Sequence, residues 1–268
     1  MVPGTNAMKI FTDQLQRTVR LGFPPRRIVS LVPSQTELLH ALGLEAEVVG
    51  ITKFCIHPAA WFRSKTRVGG TRQLNIETIR QLQPDLVIAN KEENEQVQIE
   101  ALEKEFLVWV SDIQTLPDAG DMMLRVGALT GRAEKAQEIV NEIMQRFAQL
   151  AVAVAGTKRR RVAYFIWRNP WMVAASNTFI DCILDQYGFT NVFAKESRYP
   201  VFTTEQLRKV DCDLVLLSSE PYPFGEKHMA EMHDIFPGAI IKLVDGEMFS
   251  WYGSHLLQTP GYWGQVAG

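Results

Sequence analysis

The sequence predicts an α/β protein made of two Rossmann-like lobes with mainly parallel sheets, joined by one long helix. Three observations predict this fold class: an internal repeat, an alternation of strand and helix patterns, and a stretch of about 24 residues after Gly131 without proline or glycine. At 1.5 Å per residue, that stretch would form a helix of roughly 36 Å. We therefore expect an N-terminal lobe over residues 1–130, a linking helix over 131–156 and a C-terminal lobe over 157–268.

The repeat pairs a short helix with a buried strand in each lobe. Residues 75–88 read NIETIRQLQPDLVI, and residues 203–216, 128 positions later, read TTEQLRKVDCDLVL. Glu77 and Glu205 hold equivalent places in the first helical turn, where the helix dipole favours a carboxylate. Matched acids on two lobes are typical of a clamp around a ligand, although both could simply be good first-turn residues.

In the first lobe, apolar runs predict strands at residues 26–32, 47–52, 85–90 and 106–111. Ser34 and Glu37, three positions apart, predict a capping box for a helix that ends at Gly43. Asn75 is expected to cap the repeat helix, and residues 95–105 form a further helix. Strands that alternate with helices in this way predict an open parallel sheet.

The linking helix is predicted to be amphipathic, because apolar residues recur at helical spacing at Ile139, Ile143, Phe147 and Leu150. The basic run 158–161 follows it. This run is interpreted as a solvated lead-in to the next strand, with a phosphate site as the alternative.

In the second lobe, strands are predicted at residues 161–167, 171–175, 213–219 and 239–244. Asn177 or Thr178 should cap a helix that extends to residue 185. Thr203 and Gln206 predict a second capping box. Pro260 argues against a long terminal helix.

Composition argues against a nucleic-acid-binding protein, a membrane-spanning protein and a disulfide-rich protein. The 268 residues carry a formal net charge of −2, which gives no field for nucleic acid or anionic membranes. No apolar run approaches the roughly 18 residues of a membrane span. Residues 1–27 lack the apolar segment of a signal peptide, so the chain as written is expected in the cytoplasm unless a leader was removed. Three cysteines, at 55, 182 and 212, argue against a disulfide framework.

Five segments resemble the substrate-binding proteins of ABC importers for vitamin B12, iron-siderophores and haem. They are residues 28–39 (IVSLVPSQTELL), 49–52 (VGIT), 68–70 (VGG), 75–77 (NIE) and 84–88 (PDLVI). The resemblance covers about residues 26–257. It implies a ligand cleft between two lobes, a small hinge motion, a periplasmic location and a monomer that binds a small metal chelate. It also implies that Glu77 and Glu205 dock into arginines of a membrane permease.

Ligand-binding residues are expected where the strands of an open α/β sheet end. Aromatic rings there would stack on a planar ligand, and arginines would pair with its carboxylates or chelated metal. The candidates are Arg72, Asn90, Glu92, Trp167, Arg168, Tyr199, Glu220, Trp251 and Tyr252. The vitamin B12 receptor has aromatic residues at the positions of Thr71 and Asn90, so the ligand class stays open among corrinoid, haem and ferric siderophore. His57 is a candidate axial metal ligand, or else it caps a turn before Pro58.

No enzyme motif is present: the sequence has no Gly-x-Ser-x-Gly elbow, no Walker loop and no Gly-x-Gly-x-x-Gly fingerprint. We therefore predict a binding protein without catalytic residues or an intrinsic cofactor. The alternative is a cytoplasmic carrier or sensor of corrinoids or metal chelates on the same scaffold, or, less favoured, an enzyme on that scaffold.

Overall fold

A computed structural model describes residues 7–268, which belong to two compact units. Each unit is assembled from separate stretches of chain. The first unit runs up to Ile113 and also contains Pro117–Asn141 and Tyr252–His255. The second unit contains Gln114–Leu116, Glu142–Trp251 and Leu256–Gly268. The chain therefore contributes to each unit more than once.

The first unit has a five-stranded parallel sheet and a separate hairpin. The hairpin consists of β1 (Ala7–Thr12) and β2 (Thr18–Phe23). The strands of the sheet are β3 (Ile28–Ser30), β4 (Val48–Ile51), β5 (Thr66–Arg67), β6 (Leu86–Asn90) and β7 (Val108–Ser111). Their order is β5-β4-β3-β6-β7, and every neighbouring pair is parallel. The predicted parallel sheet is confirmed, whereas the hairpin was not predicted.

Five helices lie along the chain up to residue 130: α1 (Pro33–Ala41), α2 (Ala59–Ser64), α3 (Ile76–Leu82), α4 (Gln96–Glu103) and α5 (Leu116–Thr130). Asn75 caps α3 as predicted, since its side chain accepts a hydrogen bond from the Thr78 amide. The capping box at Ser34 is wrong. The N-cap is Val32 and not Ser34, so helix α1 begins two residues earlier than predicted, at Pro33, whose fixed φ and missing N–H suit a first helical position.

Helix α6 (Ala133–Val154) is the predicted long helix. Its 22 residues correspond to about 33 Å. Its N-terminal part belongs to the first unit, and the part from Glu142 onward belongs to the second. Gly131, with φ of +74°, separates α6 from α5. Ile139, Ile143 and Phe147 are buried, which confirms the apolar face.

The second unit has a mixed six-stranded sheet. Its strands are β8 (Arg161–Trp167), β9 (Trp171–Val173), β10 (Thr190–Asn191), β11 (Val201–Phe202), β12 (Leu214–Ser218) and β13 (Ile240–Val244). The order is β11-β9-β8-β12-β13, and β10 pairs with the start of β8. Strands β8, β12 and β13 are parallel, while β9 and β11 are antiparallel to their neighbours.

The helices of the second half are α7 (Phe179–Gln186), α8 (Thr204–Leu207), α9 (Glu226–Ile235), α10 (Glu247–Ser250) and α11 (Thr259–Ala267). Thr178 caps α7, and the capping box of Thr203 and Gln206 is confirmed. The terminal helix α11 has nine residues and carries Pro260 in its first turn. A short 3₁₀ helix, Ser254–Leu257, precedes it.

An aromatic core stabilises the second unit. Phe165 lies at its centre, with Trp171, Phe193 and Phe236 placed edge-on around its ring. Burying one phenylalanine side chain contributes roughly 1.5–3 kcal/mol. This core fixes the strands whose ends carry the candidate site residues. Among the helices of residues 7–268, none is both long and apolar enough to cross a bilayer.

Candidate ligand-binding site

Asn90 ends the central strand β6 of the first unit and shapes the loop that follows. The side chain is 1% exposed. Its Nδ2 donates to the Ser111 hydroxyl at 3.0 Å, and its Oδ1 accepts from the backbone amides of Glu92 and Glu93 at 2.9 and 3.0 Å. These bonds occupy both the donor and the acceptor atom of the amide. Asn90 therefore fixes the backbone of the half-buried Glu92 and Glu93.

Asn94 closes the same loop. Its Oδ1 accepts from the Asn90 amide at 2.9 Å, and its Nδ2 donates to the Thr71 carbonyl at 2.8 Å. Arg72 is exposed, and its guanidinium contacts Glu95 at 3.3 Å and the Glu92 carbonyl at 3.2 Å. The structure thus brings Arg72, Asn90 and Glu92 together at the carboxyl end of the sheet.

Tyr252 lies in the short C-terminal segment that belongs to the first unit, and it is buried. Two neighbours in that segment hold it against α1. His255 Nδ1 lies 3.0 Å from Glu37 Oε2. Gly253 has φ of +115°, and a Cβ there would lie 3.2 Å from the Ser34 carbonyl oxygen. Only glycine suits this backbone and this close approach.

The loop after β4 carries two large apolar side chains that the sequence prediction passed over. Phe54 is 51% exposed and Ile56 is 45% exposed, next to the exposed His57. Both side chains offer apolar surface at the carboxyl end of β4. The sequence places both residues in a strand-end loop, but it does not indicate that their side chains are exposed.

Trp167 ends strand β8 in the second unit. Its ring is 39% exposed and meets the Tyr222 ring edge-on, with centroids 5.6 Å apart. The adjacent Arg168 makes two hydrogen bonds to the Glu231 carboxylate, at 2.7 and 3.0 Å. These hydrogen bonds raise the pKa of the Arg168 guanidinium. The contact with Tyr222 holds the exposed indole of Trp167 in place, and the bonds to Glu231 hold the neighbouring Arg168.

Glu220 and Trp251 form one anchored pair at the carboxyl ends of β12 and β13. Glu220 Oε1 accepts from the Trp251 indole at 3.0 Å and from the Ser250 hydroxyl at 2.7 Å. Gly246 permits this arrangement, because a Cβ there would lie 2.6 Å from the Glu220 Cγ. Trp251 is 6% exposed. Of the two tryptophans at this end of the sheet, Trp167 therefore has the more exposed ring.

Tyr199 is half-buried in the loop before β11, with the Arg198 guanidinium 5.7 Å from its ring centroid. In the same unit, His228 is buried and accepts from the Gly225 amide at 2.9 Å. Burial lowers the pKa of this imidazole. Within residues 7–268, no three or more His, Cys, Asp or Glu side chains are grouped to hold a metal ion. The role of His57 as an axial ligand stays a prediction.

Glu77 and Glu205 are both exposed. Glu77 Oε2 lies 3.2 Å from Arg80 Nη1, and the same guanidinium also binds Glu105. Glu205 makes no ion pair with another of residues 7–268. Both carboxylates are therefore accessible to solvent, and Glu205 has no ion pair to lose among residues 7–268.

Comparison with known proteins decides which class of protein carries these sites. Residues 28–234 match the model of the periplasmic binding protein family. The chain belongs to that family. This confirms the resemblance drawn from the sequence, and it also confirms that the chain is a substrate-binding protein and not an enzyme.

The sequence relatives include proteins named for their ligand. The chain is 28% identical over 187 residues to the vitamin B12-binding protein of Vibrio cholerae serotype O1, covering 69% of this chain and 67% of that protein. It is 30% identical over 176 residues to the vitamin B12-binding protein of Salmonella typhi, covering 65% and 64% respectively. The chain thus spans about two thirds of the length of these relatives.

Solved structures confirm the fold. The periplasmic vitamin B12 binding protein BtuF of Vibrio cholerae matches with a TM-score of 0.78 at 22% identity, covering 91% of this chain and 96% of that one. The periplasmic haem binding protein HutB of the same organism matches with a TM-score of 0.77 at 22% identity, covering 90% and 98%. The predicted fold class, two α/β lobes and a long helix, is therefore correct.

Proposed function

We propose that this periplasmic binding protein family member binds a bulky metal chelate, either a corrinoid, a haem or a ferric siderophore, and delivers it to an ABC importer. The observation that carries the proposal is the family match over residues 28–234, together with relatives named as vitamin B12-binding proteins. Structural neighbours named for haem and for Fe³⁺-hydroxamate transport extend the ligand class to other chelates.

Residues at the carboxyl end of each sheet are proposed to contact the chelate. Trp167 supplies an exposed indole for stacking on a planar ring. Phe54 and Ile56 supply apolar surface on the first unit. Arg72 and Arg168 supply positive charge for carboxylates, with the reservation that Arg168 shares its guanidinium with Glu231. The remaining residues proposed to contact the chelate are Asn90, Glu92, Tyr199, Glu220, Trp251 and Tyr252.

Direct binding measurements test this proposal. Cyanocobalamin, haemin and ferrichrome are titrated separately into the full chain by calorimetry, and protein purified from its native host is scanned for the visible bands of each class. We expect one class to bind with a 1:1 stoichiometry and at least about a hundredfold more tightly than the other two, a difference of about 2.7 kcal/mol. Equal weak binding of all three chelates would overturn the proposal.

A tryptophan variant tests the site itself. Replacing Trp167 with Ala should weaken binding of the preferred chelate by about tenfold, because stacking is worth roughly 0.5–1.5 kcal/mol beyond the buried area. Trp263→Phe, on helix α11, is the matched control and should leave this affinity unchanged. Loss of affinity in both variants would indicate a general defect and not a stacking contact.

Glu77 and Glu205 are proposed to dock with the permease. The double variant Glu77→Ala/Glu205→Ala should lose binding to the membrane permease and keep its chelate affinity, since exposed charges govern encounter more than pocket chemistry. The control Glu134→Ala/Glu138→Ala removes two exposed acids from α6. A pull-down in which the Glu77/Glu205 variant still retains the permease would refute the docking role.

The same proposal places the working protein outside the cytoplasmic membrane. Family membership supports this location. Fractionation of the native host, with antibody against this chain, should find the protein with the periplasmic or envelope-associated fraction. A purely cytoplasmic signal would redirect the proposal to an intracellular carrier of the same chelates.

A further inference from the structure

The basic run Lys158–Arg161 divides into two pairs of residues in the structure. Arg159 binds Asp185, and Arg161 binds both Asp211 and Asp213. Lys158 and Arg160 have no carboxylate of residues 7–268 within ion-pair distance. Positions two apart in an extended segment point to the same side. The two unmatched cations are therefore neighbours on one surface.

Both unmatched cations line one cavity. It has a volume of about 820 Å³ and lies where strands β8 and β12 begin, at the opposite end of the sheet from Trp167 and Glu220. The volume falls within the roughly 300–1,000 Å³ typical of small-molecule sites. This cavity is therefore separate from the candidate chelate site, and it lies wholly within the second unit.

An unsatisfied group marks the basic wall of this cavity. Arg160 Nη1 is buried and has no hydrogen-bond partner among residues 7–268. A buried donor on a charged group is costly when it is unpaired, and an anion would offset that cost. The single aspartate in the lining, Asp213, is already bonded to the Arg161 guanidinium at 2.8 Å, which holds its pKa at about 2. The cavity thus keeps an excess of positive charge.

Aromatic residues also line this cavity. Trp263, on α11, donates from its indole nitrogen to the Tyr187 carbonyl at 3.1 Å. Tyr187 in turn donates from its hydroxyl to the Thr259 carbonyl at 2.6 Å. These two bonds fix α11 against the end of α7. The half-buried indole is thereby held in one orientation as a surface on which a flat ring can stack.

We propose that this cavity is a second binding site, for a phosphate monoester that carries an aromatic ring. The monoester brings a charge of about −1.5 to −2 at neutral pH, which matches the two cations. Its oxygens accept from Lys158 and Arg160, and its ring stacks on Trp263. No chemical step is involved, and the chelate site on the other end of the sheet takes no part.

Calorimetry on the full chain tests the proposal with AMP as the probe. AMP should bind saturably, and uncharged adenosine should bind at least about tenfold more weakly, since charge-assisted hydrogen bonds are lost. Lys158→Gln and Arg160→Gln should each weaken AMP binding by about tenfold. Lys195→Gln, an exposed lysine of the same unit outside the cavity, is the matched control and should change nothing.

Several outcomes would overturn the proposal. They are the absence of saturable AMP binding, equal binding by Lys158→Gln and wild type, and binding of inorganic phosphate as tight as that of AMP. Vesicles of phosphatidylglycerol test whether the two cations bind a lipid headgroup instead of a soluble monoester. If the chain binds these vesicles and does not bind AMP, the cations serve a membrane surface and the proposal is wrong. If the Arg160→Gln variant unfolds, AMP binding by the Lys158→Gln variant tests the proposal by itself, because Lys158 is exposed. Chelate affinity should be the same in all these variants.

Discussion

In both copies of the internal repeat, a side chain caps the start of the helix, but the two helices differ in length. Helix α3 has seven residues and one cap, in which Asn75 accepts from the Thr78 amide at 3.0 Å. Helix α8 has four residues and a reciprocal box between Thr203 and Gln206, at 2.8 and 3.2 Å. The shorter helix thus has the fuller cap. This difference teaches that a repeated motif specifies where a helix begins more firmly than where it ends.

The repeated aspartate performs one structural task in both copies. Asp85 accepts from the backbone amides of Arg26 and Arg27, at 2.7 and 2.9 Å, just before strand β3. Asp213 accepts from the Arg161 amide at 2.8 Å, at the start of β8. In each unit, the aspartate therefore ties the beginning of its own strand to the neighbouring one. Arg161 also binds Asp213 through its side chain, at 2.8 Å.

Breaking the helix shared by both units should have the largest effect. Ile143→Pro removes a backbone hydrogen bond and a fully buried side chain from the middle of α6, so it should lower the free energy of unfolding by about 3 kcal/mol or more. Ala133→Pro, at the first helical position, is the control and should cost far less. Denaturant unfolding followed by circular dichroism measures both. Equal losses would mean that α6 is not a continuous helix.

The cap comparison predicts a smaller effect. Asn75→Ala and Thr203→Ala should each lower the free energy of unfolding by about 1 kcal/mol, because each leaves a helix amide without its acceptor. Hydrogen exchange should then rise in α3 for the first variant and in α8 for the second. Faster exchange spread over both helices in either variant would contradict independent capping.

The ion pair between Arg161 and Asp213 predicts that the free energy of unfolding depends modestly on pH in the acid range. Arg161 lowers the pKa of Asp213 to about 2, so this carboxylate stabilises the fold above the ordinary aspartate pKa of about 4. That contribution is lost as the pH falls from about 4 towards 2. Solvent screening of so exposed a pair should keep it under about 1 kcal/mol. Asp213→Asn should flatten acid unfolding in this range relative to the control Glu134→Gln; parallel profiles would argue against the pairing.

The smallest expected effect separates the two repeat glutamates. Glu77→Ala loses the ion pair with Arg80 and the dipole interaction, whereas Glu205→Ala loses the dipole interaction alone. The first should cost about 0.5 kcal/mol and the second less. Denaturant midpoints of the two single variants measure the difference. A larger loss for Glu205→Ala would show that its carboxylate has a structural role that the contacts do not reveal.

The sequence predicted the architecture well because the fold depends on local patterns. Continuous apolar runs located β6, β8 and β12, and the absence of proline and glycine located α6. The capping box at Ser34 failed because the helix takes Pro33 as its first residue, which places the N-cap two residues earlier, at Val32. The hairpin β1–β2 was missed because β1 is largely exposed and β2 alternates exposed with buried residues, so neither has the continuous apolar run by which the sheet strands were recognised.

The candidate site was harder to predict than the fold. Strand-end loops could be identified from the sequence, but the roles of their residues depend on tertiary contacts. Asn90 and Trp251 also make hydrogen bonds to other residues of their loops, which the sequence does not indicate, and their contact with a ligand stays a prediction. Phe54 was overlooked because an apolar residue in a loop gives no sign of its exposure. Periodicity reveals which face of an element is buried, and it carries no such information for loops.

The four residues Tyr252–His255 make the first unit discontinuous in the gene. They complete its fold through the His255–Glu37 contact, although more than a hundred codons of the second unit precede them. A cloned fragment that stops within α6 would encode an unfinished lobe. Recombination that exchanges N-terminal halves between relatives would likewise separate Glu37 from its native histidine. The first unit thus depends on residues encoded after all the strands of the second unit.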